Sequence, residues 1–479
     1  MTELSISAAA LDPATTARPA LLAAGATCSF ADLADRAARA RSALARLGVT
    51  TGSRVALLAA NGVDTVVAIL ALLDAGATLV PIHPRLTPSE AAVLLADAAP
   101  ALTLREADLE ALFSPDPGPA PAPVSPDLPL ALLYTSGTTG RPKGAVLSRR
   151  AFLAAAAASA GNLGWTEDDR WLLAMPLCHV GGLSIVTRCL AARRTVLLQP
   201  RFDPDAVLAS VARDRATLLS VVPTMLQALL ERDADNVLAG LRAVLLGGAG
   251  APFALLEECE RRGVQALTTY GLTEACSQVT VQRLRTPYRA ERGSGEALPG
   301  LEVSVARPDG SSAPAGEVGR LRVRGQTLMD GYRRGAGGAV DPARDENGWF
   351  ETGDLGELDA RGALKVHARR SDLIVTGGEN VYPVEVEQRL ETLPGVRRAL
   401  VFGVEDARWG QIVAAALELD PGAPEVALAE QVAETLAPHK RPRLVCLVET
   451  LPLTSSGKLV RAGVAERYAA VLRPFGARR

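Results

Sequence analysis

The apolar run Leu130-Ala131-Leu132-Leu133 passes without a break into Tyr134-Thr135-Ser136-Gly137-Thr138-Thr139-Gly140-Arg141-Pro142-Lys143-Gly144. Three glycines, five hydroxyls and two cations share those eleven residues. A strand ending in such a loop offers backbone N–H groups, hydroxyl donors and positive charge to a phosphate chain. Glycine serves there because a Cβ would hold the backbone away from the anion. The pattern is not the common P-loop, which closes on Gly-Lys followed by Ser or Thr. Here Lys143 stands between Pro142 and Gly144. A polar surface turn is the plain alternative, but it leaves the density of donors unexplained.

The rest of the first third alternates helix and strand. Ser29 can cap a helix that runs to about Leu47, where Gly48 stops it. Arg54 to Ala59 reads as a buried strand, a helix then ends at Gly76, and Ala77 to Ile82 is the next strand. Thr87-Pro88-Ser89-Glu90 is a capping box with proline at the first helical position. Such alternation argues for an α/β fold, with helices packed on a mostly parallel sheet. Residues 114 to 129 hold seven prolines and read as a solvent loop, since proline cannot donate to a ladder. Gly247-Gly248-Ala249-Gly250 follows the apolar strand Ala243 to Leu246, and Tyr270-Gly271 is expected to follow a third strand. From about Leu301 short strands such as Val303-Ser304-Val305 and Leu321-Arg322-Val323 indicate a β-rich section. The tail begins as a strand at Leu373-Ile374-Val375 and continues as a helix from Pro383. At 479 residues the chain exceeds what one core supports.

Several function classes fall away. A net charge of −2 gives no electrostatic case for nucleic acid or an anionic membrane. The apolar stretch from Val66 is cut at Asp74, well short of a membrane span. Glu3 and Asp12 argue against a signal peptide. Cys28, Cys178, Cys189, Cys259, Cys276 and Cys446 show no metal spacing. The expectation is a cytoplasmic protein with reduced thiols.

Read in order with Tyr270-Gly271-Leu272-Thr273-Glu274, Thr352-Gly353-Asp354, Gly377-Gly378-Glu379-Asn380 and Pro452-Leu453-Thr454-Ser455-Ser456-Gly457-Lys458, the loop resembles the adenylate-forming superfamily. The resemblance runs from about residue 20 to about residue 465. It implies a large N-terminal domain of βα-layered subdomains plus the β-rich section, residues 1–370. A small mobile α+β C-terminal domain, 371–479, would swing about a hinge at Ser371, where relatives often carry Asp or Lys. It further implies an enzyme that uses ATP, Mg²⁺ and coenzyme A to activate a small-molecule carboxylic acid and pass it to a thiol.

On that resemblance Thr135, Ser136, Gly137, Thr138, Thr139, Gly140 and Lys143 hold the β- and γ-phosphates, and Gly248, Tyr270 and Gly271 belong to the nucleotide site. Glu274 would hold Mg²⁺, which prefers carboxylate oxygen, beside Thr273; as a bare sequence feature it could equally cap a helix. Asp354 would accept both ribose hydroxyls, or be an ordinary turn aspartate. Arg369 would fork onto phosphate or ribose, or form a solvated pair with Arg370. Lys458 takes the place of the adenylation lysine, stabilising charge as the acyl–phosphate bond forms. Gly378 and Glu379 would let the pantetheine arm pass, or form only a hairpin turn.

Leu163 to Trp171, Met175-Pro176-Leu177-Cys178-His179-Val180-Gly181-Gly182-Leu183-Ser184 and Thr273 to Gln278 are similar to the o-succinylbenzoate–CoA ligases of menaquinone biosynthesis. Two positions depart: Cys178 stands where Phe is usual and Gly181 where Ser is usual. The resemblance puts His179, Gly182 and Arg188 at the acid, with Arg188 offered to a second carboxylate. A packed histidine and a solvated helix arginine are the alternatives. Ligation of another aryl or medium-chain acid, and a silent adenylate-binding protein, remain open readings.

Overall fold

The computed structural model describes residues 4–23, 25–113, 116–135, 142–284, 293–334, 339–369, 372–376, 379–422, 425–454 and 458–475. Among them four sheets form, of nine, seven, four and six strands.

In the nine-stranded sheet the strands Ala266–Leu272, Ala243–Leu246, Leu218–Val221, Arg170–Leu173, Thr195–Leu198 and Pro19–Ala23 lie side by side in parallel. Ala243–Leu246 and Thr195–Leu198 are buried at every position, as continuous apolar strands covered on both faces must be. Ser277–Val281 and Glu296–Ala297 add antiparallel strands at one edge, and Ala26–Ser29 at the other. The seven-stranded sheet pairs Arg54–Leu58 with Thr78–Pro81 and Leu102–Arg105 in parallel. The strand Pro129–Thr135 then pairs antiparallel with Lys143–Ser148, so that Thr135 faces Lys143 across the ladder. Helix Val63–Asp74 is buried continuously from Thr65 onward, the mark of a helix inside a layered domain rather than on its surface.

The start signals act as the sequence indicates. Ser29 caps Phe30–Arg46 in a capping box with Asp32, and Thr87 caps Pro88–Ala98 in one with Glu90. One expectation fails. Tyr270 and Gly271 lie inside the strand Ala266–Leu272 rather than after it. A Cβ on Gly271 would meet the Ser277 carbonyl oxygen at 1.9 Å, so the neighbouring strand demands this glycine.

Leu301–Ala306, Gly319–Gly325, Phe350–Leu358 and Leu364–Arg369 make the antiparallel four-stranded sheet. The C-terminal section builds its own sheet around the long pair Val396–Asp406 and Gly410–Leu419. Ile374, Val386, Leu390 and Val401 form a core on one side of it, and Leu400, Phe402, Cys446 and Tyr468 a second. The molecule is therefore mixed α/β, with a large N-terminal and a smaller C-terminal domain. Ser371 lies outside the described residues. Among the described residues no helix is long and apolar enough to cross a membrane.

Candidate active site

The phosphate loop is anchored from both ends. Ser136, Gly137, Thr138, Thr139 and Gly140 lie outside the described residues, but Thr135 closes one strand and the exposed Lys143 opens the next. The Tyr134 hydroxyl does not join the loop. It donates to Asp97 Oδ2 at 2.7 Å and to the Leu94 carbonyl at 3.2 Å. Burial, then Asp97, raises its pKa, so Tyr134 braces the strand Pro129–Thr135 against the helix Pro88–Ala98.

Glu274 lies on the single 3-10 turn Thr273–Ala275. Its Oε1 accepts a 2.7 Å hydrogen bond from the Tyr332 hydroxyl, and Lys143 Nζ lies 5.4 Å from the centre of the same Tyr332 ring. Tyr332 thus ties the acidic residue to the base of the phosphate loop. Nearby, the buried Asp354 accepts from the Tyr270 hydroxyl at 2.6 Å. Asp354 also faces Arg369 across the pair Phe350–Leu358 and Leu364–Arg369, although the Arg369 side chain lies outside the description.

The C-terminal domain brings Lys458 to this place. Gly248 has φ +82°, and a Cβ there would lie 2.9 Å from Lys458 Cε. The lysine itself fills the space that any side chain at position 248 would need. Its backbone N–H donates to Thr454 Oγ1 at 3.0 Å, which closes the short loop that carries it. Leu453 and Thr454 reach the rim of a cleft of about 400 Å³, lined from the N-terminal domain by Asn61, His83, Arg85, Cys178 and Met225. Burial pushes the Cys178 thiol up to about 12. Gly378 lies outside the described residues. Glu379 is exposed on the edge strand Glu379–Val381, within the hairpin Ile374–Thr376/Glu379–Val381.

His179 immediately precedes the helix Val180–Ala192. Burial, then His83 and Lys458, pull its pKa down to about 4, and its ring centroid lies 6.0 Å from that of His83. Its ring is thus held neutral, and its Nε2 is buried without a hydrogen-bond partner. Gly182 packs directly on backbone: a Cβ there would meet the Pro176 carbonyl oxygen at 2.3 Å. At Gly181 the space is taken by the Met175 methyl, 2.7 Å from where a Cβ would stand. Arg188 is 3% exposed, with its Cζ 5.6 Å from the centre of the Trp171 ring. Its Nε and one terminal nitrogen have no hydrogen-bond partner, and burial pulls its pKa down to about 10, so it remains a cation at neutral pH. It is not the solvated arginine that its helical position allows.

The sequence pattern of the AMP-binding enzyme family matches residues 10–333, and that of the AMP-binding enzyme C-terminal domain matches 385–458. The chain belongs to the AMP-binding enzyme family. Among members of known activity it is 37% identical over 453 residues to 2-succinylbenzoate–CoA ligase from Bacillus licheniformis, spanning 90% of this chain and 93% of that one. It is 35% identical to the Bacillus subtilis ligase, with 93% and 94% covered. The B. subtilis o-succinylbenzoate CoA synthetase, solved with its acyl-adenylate intermediate, superposes with a TM-score of 0.87 at 34% identity, over 96% of this chain and 97% of that one. ATP-bound MatB from Rhodopseudomonas palustris gives 0.89 at 30% identity, with 97% and 99% covered.

Within this AMP-binding enzyme the sequence reading missed three contributors. Tyr332 sits in the short strand Gly331–Arg334, paired on both sides and with no motif around it, and Asp97, near the end of the helix Pro88–Ala98, supports Tyr134. His83 is brought beside His179 only by the packing of two distant segments.

Proposed function

We propose that this AMP-binding enzyme is a 2-succinylbenzoate–CoA ligase: it adenylates the acid with ATP and transfers the acyl group to coenzyme A. The family, and relatives matched over about nine-tenths of both chains, support the reaction. The observation that carries the choice of acid is the buried, incompletely partnered guanidinium of Arg188. A buried cation without a counter-ion is costly. 2-Succinylbenzoate brings a second carboxylate besides the one that reacts, and a guanidinium can grip it through two parallel hydrogen bonds.

In the first half-reaction a carboxylate oxygen of the succinyl chain attacks the α-phosphorus of ATP and pyrophosphate leaves. Thr135 and Lys143 flank the polyphosphate, Asp354 takes the ribose hydroxyls and Lys458 stabilises the charge that develops on the α-phosphate. Among the described residues no cluster of three or more acidic, histidine or cysteine side chains gathers. Glu274 would hold Mg²⁺ through its carboxylate, and the ion would neutralise phosphate charge there. Tyr332 orients that carboxylate. In the second half-reaction the thiol of coenzyme A attacks the acyl carbonyl and AMP leaves, so no enzyme cysteine acts as a nucleophile. The six cysteines are free thiols, which suits a cytoplasmic enzyme.

A panel of 2-succinylbenzoate, benzoates and fatty acids tests the proposal, with CoA thioester as the readout. Turnover should favour 2-succinylbenzoate. Arg188→Leu should lower its kcat/KM by about 2–4 kcal/mol, roughly 30- to 1000-fold, with little change for an analogue lacking the aryl carboxylate. An equal fall for both substrates would make Arg188 structural, and preference for another acid would overturn the assignment.

A further inference from the structure

Among the described residues, several contacts accompany the meeting of Lys458 with Gly248. Val384 Cγ1 lies 3.4 Å from where a Cβ on Gly250 would stand, and Leu453 and Thr454 touch the cleft. One further contact spans the segment that joins the domains. His367, on the last strand of the N-terminal domain, Leu364–Arg369, meets Tyr382, which precedes the first helix of the C-terminal domain, Pro383–Leu390. Their ring centroids are 5.2 Å apart, with planes inclined by 50°. The His367 side chain is 11% exposed and the Tyr382 ring is half-buried.

Charged side chains also face His367. Nε2 stands 3.5 Å from Glu357 Oε1, yet it has no hydrogen-bond partner. Lys365 competes for the same Glu357 oxygen, also at 3.5 Å. Glu385, on the facing helix, is engaged by Lys440 at 2.6 Å. Burial, more than any neighbouring charge, lowers the His367 pKa. Burial thus favours the neutral imidazole, and what it presents across the junction is a ring tilted against that of Tyr382.

We propose that His367 and Tyr382 form an aromatic latch that holds the C-terminal domain in the orientation placing Lys458 on Gly248, which makes His367 a positioning residue for adenylation. The inference rests on the two-step ligase reading, in which the domain must leave this orientation before thiol transfer. A latch made in one orientation and absent from the other shifts their ratio by the strength of one aromatic contact, on the order of 2- to 12-fold.

The test measures the two half-reactions separately: ATP–pyrophosphate exchange with 2-succinylbenzoate, and thioester formation from supplied acyl-adenylate and coenzyme A. His367→Ala should lower exchange by about threefold or more relative to thioester formation, which stays level or rises. His367→Phe, which keeps a ring at the position, should return the ratio to within about twofold of the parent enzyme. Tyr382→Leu should reproduce the alanine result from the other side, which keeps the test open if one variant folds poorly. An unchanged ratio, an equal fall in both steps, or a phenylalanine variant no better than alanine overturns the latch. Failure of the parent enzyme to exchange pyrophosphate with this acid would instead overturn the ligase reading.

Discussion

Asp354 shows how much of a residue's meaning lies outside its own motif. Thr-Gly-Asp suits a turn as well as a nucleotide site, and Gly353 does adopt a left-handed φ of +79°. The side chain, however, is buried and meets the Tyr270 hydroxyl at 2.6 Å, a partner 84 positions away. A turn aspartate bonded to its own backbone would have no use for that phenol. Asp354→Ala is expected to weaken ATP binding by about 1.5–3 kcal/mol, the range for hydrogen bonds to a charged group. Isothermal titration with ATP checks this, and an unchanged affinity would return Asp354 to the turn. Arg188 teaches the same point from the opposite direction. In sequence, a place at a second carboxylate and a solvated helix arginine stood as alternatives, and burial without partners rules out the solvated one. Tyr332 was not legible at all, because a tyrosine in a four-residue strand carries no pattern, and its hydrogen bond to Glu274 arises from tertiary packing.

At the scale of elements, local chemistry was readable wherever it was self-contained. Capping boxes at Ser29 and Thr87 satisfy orphan helix N–H groups within one turn, so they need no information from elsewhere. Gly271 needed such information, because the carbonyl that excludes a side chain belongs to a neighbouring strand. The helix Pro383–Leu390 carries a feature that titration can reveal. Glu391, just past its end, accepts from the Ala399 N–H at 3.1 Å. Burial raises its pKa to about 7, Glu387 adds to the rise, and the Ala399 hydrogen bond, Arg398 and Arg461 oppose it. A carboxyl protonated in the folded state contributes stability that is complete below the unfolded value, about 4.5. That contribution is lost as pH rises through about 7. Glu391→Gln keeps the acceptor and removes the titration. Denaturant unfolding should find the variant more stable than the parent at pH 8, by on the order of 2 kcal/mol, and closely matched at pH 5.

For the whole molecule, sequence order revealed the two domains but not how they meet. The meeting of Lys458 with Gly248 joins positions 210 residues apart, across a boundary that no periodicity marks. If that meeting serves only the first half-reaction, Lys458→Ala should lose acyl-AMP formation by roughly 10²-fold or more. The same variant should convert supplied acyl-adenylate and coenzyme A to thioester at near the parent rate. Stopped-flow measurement of each step separates the two, and equal losses would contradict a domain that serves the steps in different orientations.

The cleft wall at Cys178 has a consequence for an enzyme that makes its own electrophile. An acyl-adenylate acylates whatever thiolate it meets, and Cys178 lines the cleft. Burial raises its thiol well above the usual range, so far less of it is ionised at neutral pH than of an ordinary cysteine. On the ligase reading proposed above, a sulfur lining the cleft would then escape labelling by the reactive intermediate, leaving coenzyme A as the thiol competent to react.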